Sequence, residues 1–144
     1  MLFRWVDREL TKSKGMYSNF REAIKWIREK AVTPTDVGTA FEKLVKVFLE
    51  QDATQAQQYE KVWRYSEWAA ERKGYKRKDI GIDLVAKIRN QDTFCAIQCK
   101  CYSEGVSIQK TDLDSFVSAA STKDFSRLLL IDTVVPHLRF GQVE

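Results

Sequence analysis

Residues Lys78–Tyr102, KDIGIDLVAKIRNQDTFCAIQCKCY, decide how the rest of the chain is read. Ile80 to Ile88 is aliphatic and β-branched, Arg89-Asn90-Gln91-Asp92 breaks the run, and Thr93 to Tyr102 resumes it. Two strands joined by a polar turn are predicted. Strand side chains alternate between two faces. On the first strand Asp83, Val85 and Lys87 share one face, and Ile82, Leu84, Ala86 and Ile88 the other. On the second, Phe94, Ala96, Gln98 and Lys100 oppose Cys95, Ile97, Cys99 and Cys101. A hairpin turning about Asn90-Gln91 brings Asp83 opposite Gln98, to within a residue of register. An acid, an amide and an amine then meet on one surface.

Such a set has a chemical use. Carboxylate and carbonyl oxygens suit Mg²⁺ or Mn²⁺. A lysine beside them can position a water, help deprotonate it or offset phosphate charge, and a divalent cation next to a phosphate is a route to phosphodiester hydrolysis. The solvent face of an ordinary antiparallel hairpin gives the same alternation, so the pattern by itself leaves both readings open.

Gly81-Ile82-Asp83, then fourteen residues from Asp83 to Gln98-Cys99-Lys100, resembles the PD-(D/E)XK nuclease signature in its Mrr-like form, where Gln replaces the second acid. Five further stretches resemble the N-terminal nuclease domain of type ISP restriction-modification enzymes: Gly38 to Glu42, Trp63 to Trp68, Asp79 to Val85, Ala96 to Lys100, and Ile108-Gln109-Lys110 followed by Asp112 to Phe116. The resemblance covers about Gly38 to Thr133 and implies an α/β fold of the restriction-endonuclease type: an α-β-β-β-α-β core with a mixed central sheet. It also implies an endonuclease acting on double-stranded DNA with Mg²⁺, for which Mn²⁺ substitutes, in a polypeptide that also carries helicase/translocase and methyltransferase domains. Carried over residue by residue, Asp83, Gln98, Lys100 and Glu42 are the catalytic set. Asp83, Glu42 and the backbone carbonyl of Cys99 are the metal ligands. Gln98 departs from the acidic form of the motif and brings no charge, which puts a second metal in doubt.

At 144 residues the chain can build one domain with a real core, and with only two prolines and six glycines it shows no linker. A formal charge of +4 suits a polyanionic partner better than an acidic one. No apolar run reaches the length of a membrane span, so no membrane partner is expected. The N-terminus is too short and charged for a signal peptide. Free cysteines without an export signal point to the cytoplasm. Three cysteines on one strand face read as small core residues, and with only His137 elsewhere they fall short of a zinc site.

Taken in order, Phe3 and Val6 suggest a short helical turn. Ser18 or Asn19 caps a helix running to about Lys30, carried by Phe20, Ala23, Ile24 and Ile27. Residues 1–35 are expected to pack as an N-terminal helical extension on a nuclease core spanning 36–144. A second helix from about Asp36 to Gln51 has Phe41, Leu44, Val45, Phe48 and Leu49 as its stripe. Glu42 borders that stripe: it either pairs with Lys46 at i+4 or, as the resemblance implies, points at the sheet edge. Tyr59 to Trp68 is predicted as the first strand of the core, its tryptophans internal. Arg72, Lys73, Lys76, Arg77 and Lys78 form a basic loop leading to Asp83. With Gln109 and Lys110 it is the expected DNA contact, against the alternative of a solvated turn. Thr111 with Asp114 caps a helix whose inward face is Leu113, Phe116, Val117 and Ala120. Arg127 to Asp132 is a strand buried on both faces. No terminator is legible from Val134 to Glu144, as expected of a piece of a longer chain. Besides the endonuclease, two rivals remain open: a binding module that keeps the fold without cutting, and a structural domain that only docks to a motor.

Overall fold

A computed structural model describes residues 2–5, 16–76, 81–101 and 109–133. The elements are β1 (Leu2–Trp5), α1 (Met16–Lys30), α2 (Pro34–Gln51), α3 (Ala53–Gln58), β2 (Tyr59–Arg64), α4 (Tyr65–Ala70), β3 (Leu84–Ile88), β4 (Phe94–Lys100), α5 (Lys110–Ala119) and β5 (Phe125–Asp132). The sheet has five strands in the order β1-β5-β4-β3-β2. β2, β3 and β4 pair antiparallel, while β4–β5 and β5–β1 are parallel. The expected core order survives as α2, β2, β3, β4, α5 and β5, so the fold is mixed α/β of the restriction-endonuclease type.

The hairpin at the centre keeps the predicted register. Leu84 pairs with Ile97, Val85 with Ala96 and Lys87 with Phe94, and Asn90 takes the turn at φ 63°. Alternation sends the two faces into separate cores. Leu84, Ala86, Ile88, Cys95, Ile97 and Cys99 pack under α1 and α2, against Ile24, Phe41, Val45, Phe48 and Leu49. Val85, Phe94 and Ala96 pack on the other side, with Tyr65, Trp68, Phe116 and Ala120. All three cysteines are free, with Cys95 and Cys99 buried as expected. Burial pushes the Cys95 thiol up to about 12.

Local signals explain the starts of α2 and α3, the latter capped by Asp52. Thr33 caps α2 in a reciprocal box with Asp36, and Pro34 opens it where its missing N–H costs nothing. Arg28 of α1 donates to the Thr133 hydroxyl at 3.1 Å, fastening α1 to the end of β5. Among the described residues no helix is long and apolar enough to cross a membrane.

Several expectations need correction. Leu2–Trp5 is a strand rather than a helical turn, because β5 offers it a parallel edge that only the folded sheet creates; Val6 lies outside the described residues. α1 begins at Met16, ahead of the Ser18 or Asn19 cap. The first core strand stops at Arg64, and Tyr65 to Ala70 is helix α4. Aromatic residues suit strands by propensity, but Tyr65, Trp68 and Ala69 also stand at i, i+3 and i+4, and as a helix all three are buried. The short helix α3 was not anticipated. Ile82 packs with Val85 rather than Leu84, since β3 starts only at Leu84 and alternation does not run back past Asp83. α5 is capped at Gln109, not Thr111, and its Val117 is exposed.

Three residues of the α4–β3 connection are closely packed against the sheet end and α5. Gly81 has φ +95°, and a Cβ there would touch the backbone of Ser115 and Phe116 in α5. The Arg72 guanidinium lies 4.8 Å over the Trp68 ring and 4.3 Å over Phe94. Tyr75 stacks edge-on to Trp68 at 4.6 Å, and its hydroxyl bonds Asp124.

Gly81→Ala forces an L side chain into a conformation costing about 1–2 kcal/mol. We expect the urea unfolding free energy to fall by about that amount. Arg72→Ala should lower it by roughly 0.5–1 kcal/mol, the scale of a cation–π contact at an accessible site. Lys73→Ala and Lys76→Ala, on exposed positions, should stay within about 0.5 kcal/mol of wild type.

Candidate active site

The site forms where β3 begins and β4 ends. Asp83 is fixed there by three hydrogen bonds. Its N–H donates to the Ile97 carbonyl at 2.9 Å, and its carbonyl accepts from Tyr65 N–H at 2.9 Å. Its Oδ2 accepts from Cys99 N–H at 2.7 Å. The carboxylate therefore takes a strand N–H of β4 and lies between Gln98 and Lys100 in sequence, within a residue of the expected register.

Gln98 and Lys100 continue the face of Phe94 and Ala96. Gln98 is 5% exposed. Lys100 has a third of its side chain exposed, and its Nζ stands 4.0 Å from Asp112 Oδ1 in the first turn of α5. Glu42 comes from the opposite layer. Lys46, the i+4 alternative for Glu42, pairs with Glu50 at 2.8 Å. Glu42 Oε2 lies 3.6 Å from Arg64 Nη2.

The Cys99 thiol feels three of these charges. Burial pushes it well above its usual range, Asp83 and then Glu42 push the same way, and Lys100 pulls it down. Both carboxylates and the lysine thus lie within electrostatic range of the residue whose carbonyl the motif implicates. Among the described residues no three His, Cys, Asp or Glu side chains cluster as a metal site.

The expected DNA contacts are more dispersed. Arg72 stacks at Phe94, four positions from Gln98 and about 13 Å along the strand. Lys73 and Lys76 are exposed in the same loop. Arg77 and Lys78 lie outside the described residues. Gln109 and Lys110 open α5, whose first turn carries Asp112 beside Lys100; Lys110 is bonded to Asp114 at 2.6 Å, which raises its pKa.

Three charged neighbours escaped the sequence reading. Arg64 meets Glu42, Asp112 meets Lys100, and Asp132, 1% exposed, is the register partner of Lys100 in β5. Asp132 was visible only as the polar end of an apolar run. Nothing in the sequence says that β5 lies beside β4.

A restriction-endonuclease family model of the Mrr catalytic type matches residues 50–138. No curated protein matches the chain. Among solved structures, an ATP-dependent type ISP restriction-modification enzyme, LlaBIII bound to DNA, is similar with 29% identity and a TM-score of 0.55 over 77% of this chain. The chain spans 6% of the length of that enzyme. The match includes β3, β4 and β5 with the Asp83–Lys100 hairpin, and by it the chain belongs to the restriction endonuclease family, as a nuclease module of the Mrr-like kind.

Proposed function

We propose that this module cuts double-stranded DNA with the help of a divalent cation, as the cleavage part of an ATP-dependent restriction-modification polypeptide that also carries helicase/translocase and methyltransferase domains. The observation that carries the reading is the Asp83 carboxylate held at 2.7 Å by Cys99 N–H, between Gln98 and Lys100 in sequence, with Glu42 of the other layer within electrostatic range of Cys99.

The donors available are the carboxylates of Asp83 and Glu42, the Cys99 carbonyl and the Gln98 amide oxygen. All are hard oxygens, suited to Mg²⁺ with Mn²⁺ as a substitute. A cation held there supplies positive charge to a phosphate as it gains negative charge. The hydrogen bonds to Asp83 keep its carboxylate aimed with no reorganisation at the moment of reaction. Lys100 places an ammonium beside the scissile phosphate, where it orients the attacking water and stabilises the charge that develops. Asp112 keeps that ammonium on the site face. Gln98 adds an acceptor without a charge.

DNA is taken along Arg72 to Lys78 and the start of α5 at Gln109 and Lys110. Exposed Lys73 and Lys76 support this assignment, and the stacked Arg72 holds the loop that carries them. We place the nuclease core at 36–144, to which the N-terminal part adds: Ile24 shares one apolar cluster with Phe41, and Leu2–Trp5 joins the sheet beside β5.

The direct test is nicking or linearisation of supercoiled plasmid with and without Mg²⁺; cutting that persists in EDTA would sink the cation. Asp83→Asn should lower the rate by at least about a hundredfold, with duplex binding in EDTA unchanged. Wild-type cutting would remove Asp83 from the reaction.

Gln98→Glu adds a carboxylate at a site 5% exposed. It should lower the Mg²⁺ concentration for half-maximal activity. It should also leave the protein less stable in EDTA than in Mg²⁺, since a buried charge needs a partner. A titration without a shift toward lower Mg²⁺ would count against Gln98 facing the cation.

A further inference from the structure

Arg64 closes β2 at the site, and the D…QxK motif does not contain it. Its register partner is Leu84, the residue after Asp83. The next N–H along the chain, from Tyr65, is bonded to the Asp83 carbonyl. The backbone of Arg64 is therefore fixed against the hairpin that carries the reaction, while its guanidinium reaches over to Glu42 of α2 at 3.6 Å. The Arg64 side chain is 42% exposed and that of Glu42 23%.

At that distance and exposure the pair is a loose one. Accessible ion pairs of this kind are worth about 0–1 kcal/mol, so a divalent cation competing for Glu42 displaces the guanidinium at little cost. A guanidinium moved off a carboxylate at the mouth of a nuclease site has an obvious next partner: the planar fork of arginine matches a phosphate as well as it matches a carboxylate.

We propose that Arg64 is a positioning residue with two stations: it neutralises Glu42 before a cation arrives, and it turns to the DNA backbone once the cation holds Glu42. Cation and duplex then assist each other through one side chain, and the assistance is reciprocal. The inference rests on the reading of Glu42 as a cation ligand.

Two measurements on the intact chain test it. Manganese binding is followed by calorimetry without DNA. Affinity for a duplex is measured in EDTA and in Ca²⁺, which suppresses cutting. Arg64→Met keeps the stem and removes the competitor, so Mn²⁺ should bind up to about fivefold more tightly. The ratio of duplex affinity in Ca²⁺ to that in EDTA should fall about fivefold or more, and Arg64→Lys should restore part of it. A merely structural or bulk-charge role would weaken duplex binding equally in both buffers and leave the ratio alone. An unchanged ratio, or no gain in Mn²⁺ affinity with the thermal melt unaltered, overturns the proposal. Glu42→Gln in the same calorimetry checks the reading beneath it: undiminished Mn²⁺ binding would remove Glu42 as a ligand, a failure distinct from that of Arg64.

Discussion

The rest of the site depends on how Asp83 is tied. Its amide and carbonyl are bonded to β4 and to the first residue of α4, and its carboxylate accepts the Cys99 N–H at 2.7 Å. One residue thus ties β4 and the first residue of α4 together at the point where β3 starts. Hydrogen bonds to a charged acceptor are stronger than neutral ones and fix geometry as well as energy. The bonds that shape the sheet end also aim the acid.

Two layers meet at this end, and each delivers different chemistry. The α5 side brings Lys100 with Asp112 and the neutral Gln98; the α2 side brings Glu42 with Arg64. Both pairs are accessible, and pairs of this sort are exchanged at small cost. The charges are thus arranged in two accessible couples beside an acid that is itself held by hydrogen bonds. Gln98 is buried beneath the surface, and its amide places no anion there that would need its own partner.

The opposite end of the α5 face serves a different purpose. Trp68, Tyr75, Phe94 and Phe125 stack with one another, and Arg72 covers two of the rings. Trp68 is 1% exposed, which makes it core rather than a platform for a base. Arg72 and Tyr75 are held by these rings, and Gly81 lies close against the backbone of α5, two residues before Asp83.

Much of this was legible in the chain alone. A two-residue period with a polar break gave the hairpin, its register and the separation of Cys95, Ile97 and Cys99 from Gln98 and Lys100, because strand alternation is a local geometric rule. The stripe of α2 and the break at Thr33-Pro34 were local too, as was the D…QxK spacing that led to the nuclease family. Tertiary structure decided what depends on neighbours distant in sequence. It made Leu2–Trp5 a strand by supplying the edge of β5. It turned Tyr65–Ala70 into a helix because burying Tyr65, Trp68 and Ala69 together outweighs their strand propensity. It gave Glu42 to Arg64 rather than Lys46 and brought Asp112 and Asp132 to Lys100. Side chains from separate elements meet only when the sheet order is set, and no periodicity within one element encodes that order.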